Sequence, residues 1–347
     1  MFVSEYLNLS FSFLWAFVVS IFAIPSIIYL AYRKRILDTP NKRTIHQNLI
    51  PRLGGLAIFA GFMSAITMFG KFSEPASVQY LFAACILIFF IGLKDDILPV
   101  SAFKKFLIQV IASGIILFAA DIRLTSFYGF LGFDVLDIGS SYVISFIIII
   151  GITNAINLID GIDGLAGSVV FFICGVLGFY FYQDGSKSSY YLICSCLAGS
   201  VLGFLRYNFH KAKIFMGDTG SLVCGFIIAV LSISFVETQP AGISTNAPAI
   251  VVAALFIPIL DTVRVFVIRI LDGQSPFAPD KNHLHHRLIN LGFGKIATVL
   301  FLIAVNAIVV CFTIYLKAFN INVLMGILVF TGCVFAFSIE IIFRFKQ

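Results

Sequence analysis

The chain has 347 residues, 60% of them hydrophobic and only 12% charged, with a net charge of +6 and a mean hydropathy of +1.04. A soluble domain carries about a quarter charged residues. Half that share, together with repeated apolar runs of about 20 residues, excludes a soluble enzyme and reads as an all-α, polytopic membrane protein.

In chain order, the first apolar run, 9–31, follows no basic segment and is too long for the apolar core of a signal peptide, so it reads as a span. Ten more follow at 53–70, 77–93, 103–120, 141–158, 166–182, 189–206, 220–236, 247–269, 296–316 and 321–343, about eleven in all. The 247–269 run contains Pro258. Basic residues then set the orientation. Arg33, Lys34, Arg35, Lys42, Arg43 and Arg52 fill the first loop, and alternate loops hold Lys94, Lys104 and Lys105, then Arg206, Lys211 and Lys213, then Arg269, Lys281, Arg287 and Lys295. Arg344 and Lys346 follow the last span, whereas the other loops hold only Lys71, Arg123, Lys187 and Lys317. The N-terminus is therefore expected outside and the C-terminus in the cytoplasm, which requires an odd number of spans. With short loops and no repeat, residues 1–347 read as one transmembrane unit. The longest outside loop, from Asp121 to Gly139, alternates Ile122, Leu124, Phe127 and Tyr128 and suggests a small hairpin turning near Tyr128-Gly129. The seven cysteines, Cys85, Cys174, Cys194, Cys196, Cys224, Cys311 and Cys333, form no C-x-x-C pair and read as small apolar residues in or beside the spans.

The acidic residues carry the chemistry. Asp95 and Asp96 close the third span, Asp160 and Asp163 follow the fifth, Asp218 precedes the eighth, and Asp261 lies in the ninth. All fall on the expected cytoplasmic side. Carboxylates at a membrane boundary are costly without a function or partners. A coupled transporter, the rival reading, places such groups near the bilayer midplane. "DDILPVSAFKK" adds Lys104 and Lys105 one loop after its paired carboxylates, a set suited to magnesium and phosphate. "NAINLIDGIDGLAGS" repeats Asn154, Asn157, Asp160 and Asp163 every third residue. On a helix that spacing keeps them within mutual reach, as a site or as polar packing between helices. "FMGDTGSL" sets Asp218 between glycines at a helix start, as a cation ligand or a helix cap. "SPFAPDKNHLHHRL" gathers His283, His285, His286 and Arg287 with Lys281. A donor-rich anion or sugar site is the natural reading, zinc and a basic loop on anionic lipid being the alternatives. His46 lies in the basic first loop and is a further candidate for the phosphate site; Glu340, inside the last apolar run, has no functional reading.

From "DTPNKRTIHQNLIPRLGG" near Asp38 to "HLHHRL" ending at Leu288, these strings resemble the polyprenyl-phosphate N-acetylhexosamine-1-phosphate transferase family. The resemblance implies an inner-membrane, multi-pass enzyme with its site at the cytoplasmic face. It would transfer a sugar-1-phosphate from a UDP-sugar to a polyprenyl (undecaprenyl) phosphate and release UMP, with Mg²⁺, or Mn²⁺ in its place, as cofactor. "HLHHRL" looks like the form of GlcNAc-type members; a 6-deoxy UDP-N-acetylhexosamine stays open as the donor. By resemblance, Asn157 and Asp218 are the metal ligands, Asp163 the uracil contact and Phe215 the ring stacked on uracil. Asp95 resembles the residue that deprotonates or orients the lipid phosphate, and Asp96 and Lys105 lie near the phosphates. His283, His285, His286 and Arg287 resemble the loop holding the sugar and diphosphate. Asp160 is counted with Asp95 and Asp96 among the candidate catalytic carboxylates, and Asn154 among the substrate-binding residues. A homodimer is compatible with this reading, and no nucleic-acid partner is expected.

Overall fold

The computed structural model describes residues 2–37, 49–70, 75–184, 188–238, 246–275 and 282–346. Asp38, Lys42, Arg43, His46, Lys71, Lys187 and Lys281, invoked above, lie outside the described residues. The elements are α1 (Phe2–Lys34), α2 (Gly54–Phe69), α3 (Pro75–Ile97), α4 (Ala102–Gly114, prolonged by a π-helical turn, Ile115–Ala119), α5 (Ile138–Leu158), α6 (Leu165–Asp184) and α7 (Ser188–Asn208). They continue with α8 (Gly217–Thr238), α9 (Ala247–Ala254), α10 (Phe256–Leu271), α11 (Leu284–Asn290), α12 (Lys295–Tyr315) and α13 (Ile321–Lys346).

Helix α8 is the axis of the bundle. Every side chain from Thr219 to Val236 is buried, as befits a helix that is apolar on all faces. Helices α3 and α5 pack along it, α2 joins it near its start, and α1 packs on α2 and α7. Peripheral α1 and α13 present Phe22, Tyr29, Phe330 and Phe337 outward, where a lipid environment makes exposed apolar surface favourable.

Among the described residues, nine helices are long and apolar enough to cross a membrane, and one bent pair counts as a tenth. The expected 53–70 span forms α2, whose 16 residues rise only about 24 Å, short of a bilayer core of about 30 Å. The expected 247–269 span is not one rod: α9 and α10 meet at Leu255 with a bend of 71°. Pro258 has no N–H to offer the carbonyl of Ala254. Asn306 of α12 makes good the break, donating to that carbonyl (2.8 Å) and accepting from the N–H of Ile257 (3.0 Å). A polar side chain inside an apolar span is thereby accounted for. Helix α11 was not expected.

The hairpin expected between Asp121 and Gly139 forms as a short one: an antiparallel bridge, Ser126 to Val135, with the Phe127 N–H donating to the Asp134 carbonyl (2.8 Å) and the Leu136 N–H to the Thr125 carbonyl (2.9 Å). Its turn does run through Tyr128 and Gly129, both at positive φ. The Glu237 carboxylate at the end of α8 accepts from the Thr125 N–H (2.8 Å) and hydroxyl (2.7 Å), anchoring this short hairpin to the bundle. All seven cysteines are free; five are buried, while Cys311 and Cys333 are exposed.

Candidate functional site

The last turn of α3 brings Asp95 and Asp96 against the start of α8. The approach is close: a Cβ on Gly92 would lie 2.6 Å from Thr219 Cα, so only glycine fits there. Asp96 Oδ1 accepts from the Asp218 N–H (2.8 Å), and its Oδ2 accepts from the Thr219 N–H (2.9 Å) and hydroxyl. Asp96 is thus a helix cap supplied by a neighbouring helix, satisfying two otherwise orphan amides at the positive end of α8. Asp95 Oδ1 accepts from the Val100 N–H (2.6 Å), which fixes the α3–α4 turn. The Lys105 ammonium bridges Asp95 Oδ2 (3.2 Å) and Asp218 Oδ2 (2.8 Å). Asn157 Nδ2 donates to Asp218 Oδ1 (3.2 Å) and to Ser221 Oγ (2.8 Å). Four separate helices therefore meet at Asp218.

Asn154 lies one turn before Asn157, where it donates to Gln109 Oε1 (2.9 Å) and accepts from Gln109 Nε2 (3.4 Å). The three-residue repeat does not continue as a helix face. Helix α5 stops at Leu158, and Asp160 and Asp163 sit in the turn before α6, which reverses through Gly164 at φ +83°. Burial, reinforced by the negative charges of Asp218 and Asp96, pushes the Asp160 carboxyl well above the usual carboxylate range, against the pull of Arg52. Asp163 faces elsewhere. Its Oδ2 accepts from Lys295 Nζ (3.0 Å) and the Ala212 N–H (3.4 Å), while Oδ1 is buried with no partner. Phe215 pairs through its backbone with the segment before α2: its N–H donates to the Pro51 carbonyl (2.8 Å) and its carbonyl accepts from the Gly54 N–H (2.9 Å).

The histidine loop is held by α10. Asp261 accepts from the Leu284 N–H (2.7 Å), and its other oxygen pairs with His283 Nδ1 (2.9 Å). The His285 ring lies parallel to that of His283 at 5.5 Å and tilted to that of His286 at 4.4 Å. His285 also abuts Gly161, where a Cβ would lie 2.3 Å from Nε2. This contact joins the loop to the Asp160–Asp163 turn. Burial pushes the His285 pKa down to about 3, so its ring is neutral. Arg287 donates to Asn282 Oδ1 (3.0 Å) and lies 4.0 Å over the Phe343 ring of α13.

Sequence reasoning passed over Gln109, Arg264 and Thr219, and saw Lys295 only as a loop charge. Two of them left a signal: Gln109 follows Lys105 by one helical turn, and Arg264 follows Asp261 by three residues, both within apolar runs where an ionisable or amide group needs a reason. Among the described residues, no three His, Cys, Asp or Glu side chains form a metal cage. Asp218 offers carboxylate oxygens, while Asn157 turns its amide nitrogen toward them. With that amide rotated to present its oxygen, the pair fits Mg²⁺, which usually keeps several waters and takes one or two protein ligands plus phosphate oxygens.

Residues 78–236 match the model of the family described as glycosyl transferase family 4. The chain is 35% identical to the Bacillus subtilis (strain 168) protein named "Probable undecaprenyl-phosphate N-acetylglucosaminyl 1-phosphate transferase", over 89% of this chain and 88% of that one. It is 34% identical to the decaprenyl-phosphate N-acetylglucosaminephosphotransferase of Mycobacterium leprae (strain TN), over 92% and 87%. It is 29% identical to the undecaprenyl-phosphate alpha-N-acetylglucosaminyl 1-phosphate transferase of Escherichia coli O157:H7, over 80% and 76%.

Proposed function

Since the chain belongs to glycosyl transferase family 4, the family of polyprenyl-phosphate N-acetylhexosamine-1-phosphate transferases, we propose that it transfers GlcNAc-1-phosphate from UDP-GlcNAc to undecaprenyl phosphate, releasing UMP. The reading rests on one observation above all, the meeting of Asp95, Lys105, Asn157 and Asp218 at one end of α3, α4, α5 and α8. A coupled transporter would hold such groups at mid-span. We place this end at the cytoplasmic face of the inner membrane, N-terminus outside, where a water-soluble nucleotide sugar meets a lipid headgroup. A homodimer is compatible with the outward-facing α1 and α13.

Two anions must approach each other in this reaction, so charge neutralisation and positioning dominate. Asp218 and Asn157 would hold Mg²⁺, or Mn²⁺ in its place. When bound, the ion offsets the negative charge of the donor diphosphate. Lys105 supplies the second cation, and Asp95 steers it by sharing its ammonium with Asp218. Asp96 fixes Asp218 by capping α8. Asp160, buried in the turn after α5 near the Asp218 and Asp96 charges, is the further candidate carboxylate on this wall, with Asn154 beside it. On the donor side, the unpartnered Oδ1 of Asp163 is an acceptor suited to the uracil N3–H, with Phe215 alongside. His283, His285, His286 and Arg287 form the wall assigned to the sugar and diphosphate.

The prenyl chain needs an apolar berth. A cavity of about 360 Å³ lies among α5, α8, α9 and α10, lined by Ile152, Ala155, Val251, Leu255, Ile259 and Val263. The lining also takes in Leu124, Ser126, Phe127 and Phe130 of the 121–139 loop and Ser232 and Val236 near the end of α8, so the cavity extends from mid-bundle toward the end opposite Asp218. Leu255, where α9 and α10 bend apart, is among its lining residues.

The test is direct. Purified protein, undecaprenyl phosphate, Mg²⁺ and a panel of UDP-N-acetylhexosamines, the 6-deoxy sugars included, are incubated and the lipid products weighed by mass spectrometry. Undecaprenyl-diphospho-GlcNAc with equimolar UMP is the expected result. Product from a 6-deoxy donor alone reassigns the sugar, and no product from any donor overturns the reading.

A further inference from the structure

Glu340 lies near the end of α13, inside an apolar run that gives it no evident reason to be charged. Its Oε2 accepts from Arg264 Nη2 at 2.8 Å and lies 3.7 Å from Arg287 Nη2. Arg264, on α10, is buried, and its other terminal nitrogen donates to the Asn282 carbonyl. Arg264 follows Asp261 by three residues and so shares its helix face. Together these two residues grip three successive positions of the histidine loop: the Asn282 carbonyl, the His283 ring and the Leu284 N–H. Arg287 adds a second tie, from its own guanidinium to Asn282 Oδ1, beside the same glutamate.

We propose that Glu340 is a positioning residue for this reaction, orienting Arg264 and Arg287 so that the loop from Asn282 to Leu288 presents His283 and His286 to the sugar-diphosphate half of the donor. The role rests on the function proposed above. A buried guanidinium needs a counter-ion. One that also holds a loop carbonyl needs that counter-ion in a fixed direction, because guanidinium hydrogen bonds lie in one plane at fixed angles. Glu340 sets the plane of Arg264 from α13, a helix that supplies none of the carboxylate cluster around Asp218. The last helix is thereby coupled to donor recognition.

The experiment compares full-length wild type, Glu340→Gln, Glu340→Asp and Arg264→Lys, with Mg²⁺ and undecaprenyl phosphate held in excess. Glu340→Gln keeps shape and removes charge. It is expected to raise the KM for UDP-GlcNAc by roughly tenfold, less than the roughly 10²-fold that a full 1 Å misplacement can cost, while kcat at saturating donor falls far less. UMP lacks the sugar and the second phosphate, so its affinity, measured by calorimetry, is expected to stay near that of the wild type. Glu340→Asp keeps the charge and is expected to recover most of the KM. Arg264→Lys keeps charge but cannot hold the carbonyl and the carboxylate in one plane, and is expected to shift KM as Glu340→Gln does; it carries the test if Glu340→Gln does not fold. A merely structural role lowers the active fraction, so kcat falls with KM unchanged; that result overturns the proposal. Equal weakening of UMP and UDP-GlcNAc overturns it as well. If the wild type makes no product from any UDP-sugar, the function reading falls and the positioning role with it. Wild-type product with an unshifted KM in Glu340→Gln removes the positioning role alone.

Discussion

Gly161→Ala probes the seam between the carboxylate turn and the histidine loop with a single methyl group. Gly161 is not among the glycines at positive φ, so the added Cβ is the main perturbation. That Cβ would stand 2.3 Å from His285 Nε2 and 2.7 Å from Cε1, where ordinary contact begins at 3.4 Å. The ring must retreat by about 1 Å. It has nowhere to go, being 1% exposed and flanked by His283 and His286. Overpacking of this kind costs about 1–3 kcal/mol. If the loop and the turn grip one donor molecule, the same displacement is expected to lower kcat/KM for UDP-GlcNAc by roughly 10²-fold. The assay pairs initial rates over a range of donor concentrations with thermal unfolding in detergent. Gly326→Ala is the matched control, since a Cβ there meets nothing within 4 Å, and its turnover is expected to equal that of the wild type. Wild-type kcat/KM in a well-folded Gly161→Ala protein would refute the view that these two segments share a substrate.

Asp218→Ala is expected to abolish turnover in protein that still inserts and folds, because it removes a metal ligand and the residue on which Lys105 and Asn157 converge; near-normal activity, measured as UMP release, would overturn the assignment. Lys295→Ala releases the partner of Asp163 Oδ2 and is expected to weaken UDP-GlcNAc and UMP binding in parallel with kcat retained; calorimetry showing loss of UDP-GlcNAc binding alone would move Asp163 away from the base. His285 gives a pH signature. Its folded pKa, about 3, lies below its ordinary 6.5, so the unfolded chain takes up the proton first and the His285 contribution to stability is complete above pH 6.5. It is lost as pH falls below that value, by up to roughly 1.4 kcal/mol per unit. Melting temperatures at pH 7.5, 6.0 and 5.0 are expected to fall less steeply in His285→Asn than in the wild type, and equal slopes would contradict the burial of a neutral ring.

The sequence alone indicated the class of molecule and singled out candidate residues for its site, because both follow from local properties. Apolar runs of span length must be helices in lipid, since nothing else there satisfies backbone N–H and C=O groups. Carboxylates at the ends of such runs stand out against so few charges. What each carboxylate does was not legible. Asp95 and Asp96 are neighbours of one type, yet one steers Lys105 and the other caps α8, because consecutive residues on a helix point about 100° apart and meet different partners. Asn154 to Asp163 read as one helical face, but the helix ends at Leu158, and the turn sends Asp163 to Lys295, 132 residues away. The bend at Leu255, with Asn306 satisfying it, and the pairing of Arg264 with Glu340, 76 residues apart, needed the packed bundle as well. Periodicity and composition report what each segment prefers by itself. Which polar group answers which is decided only when distant helices are brought side by side, since the hydrogen bonds that fix a site lie across the chain and leave no spacing to read.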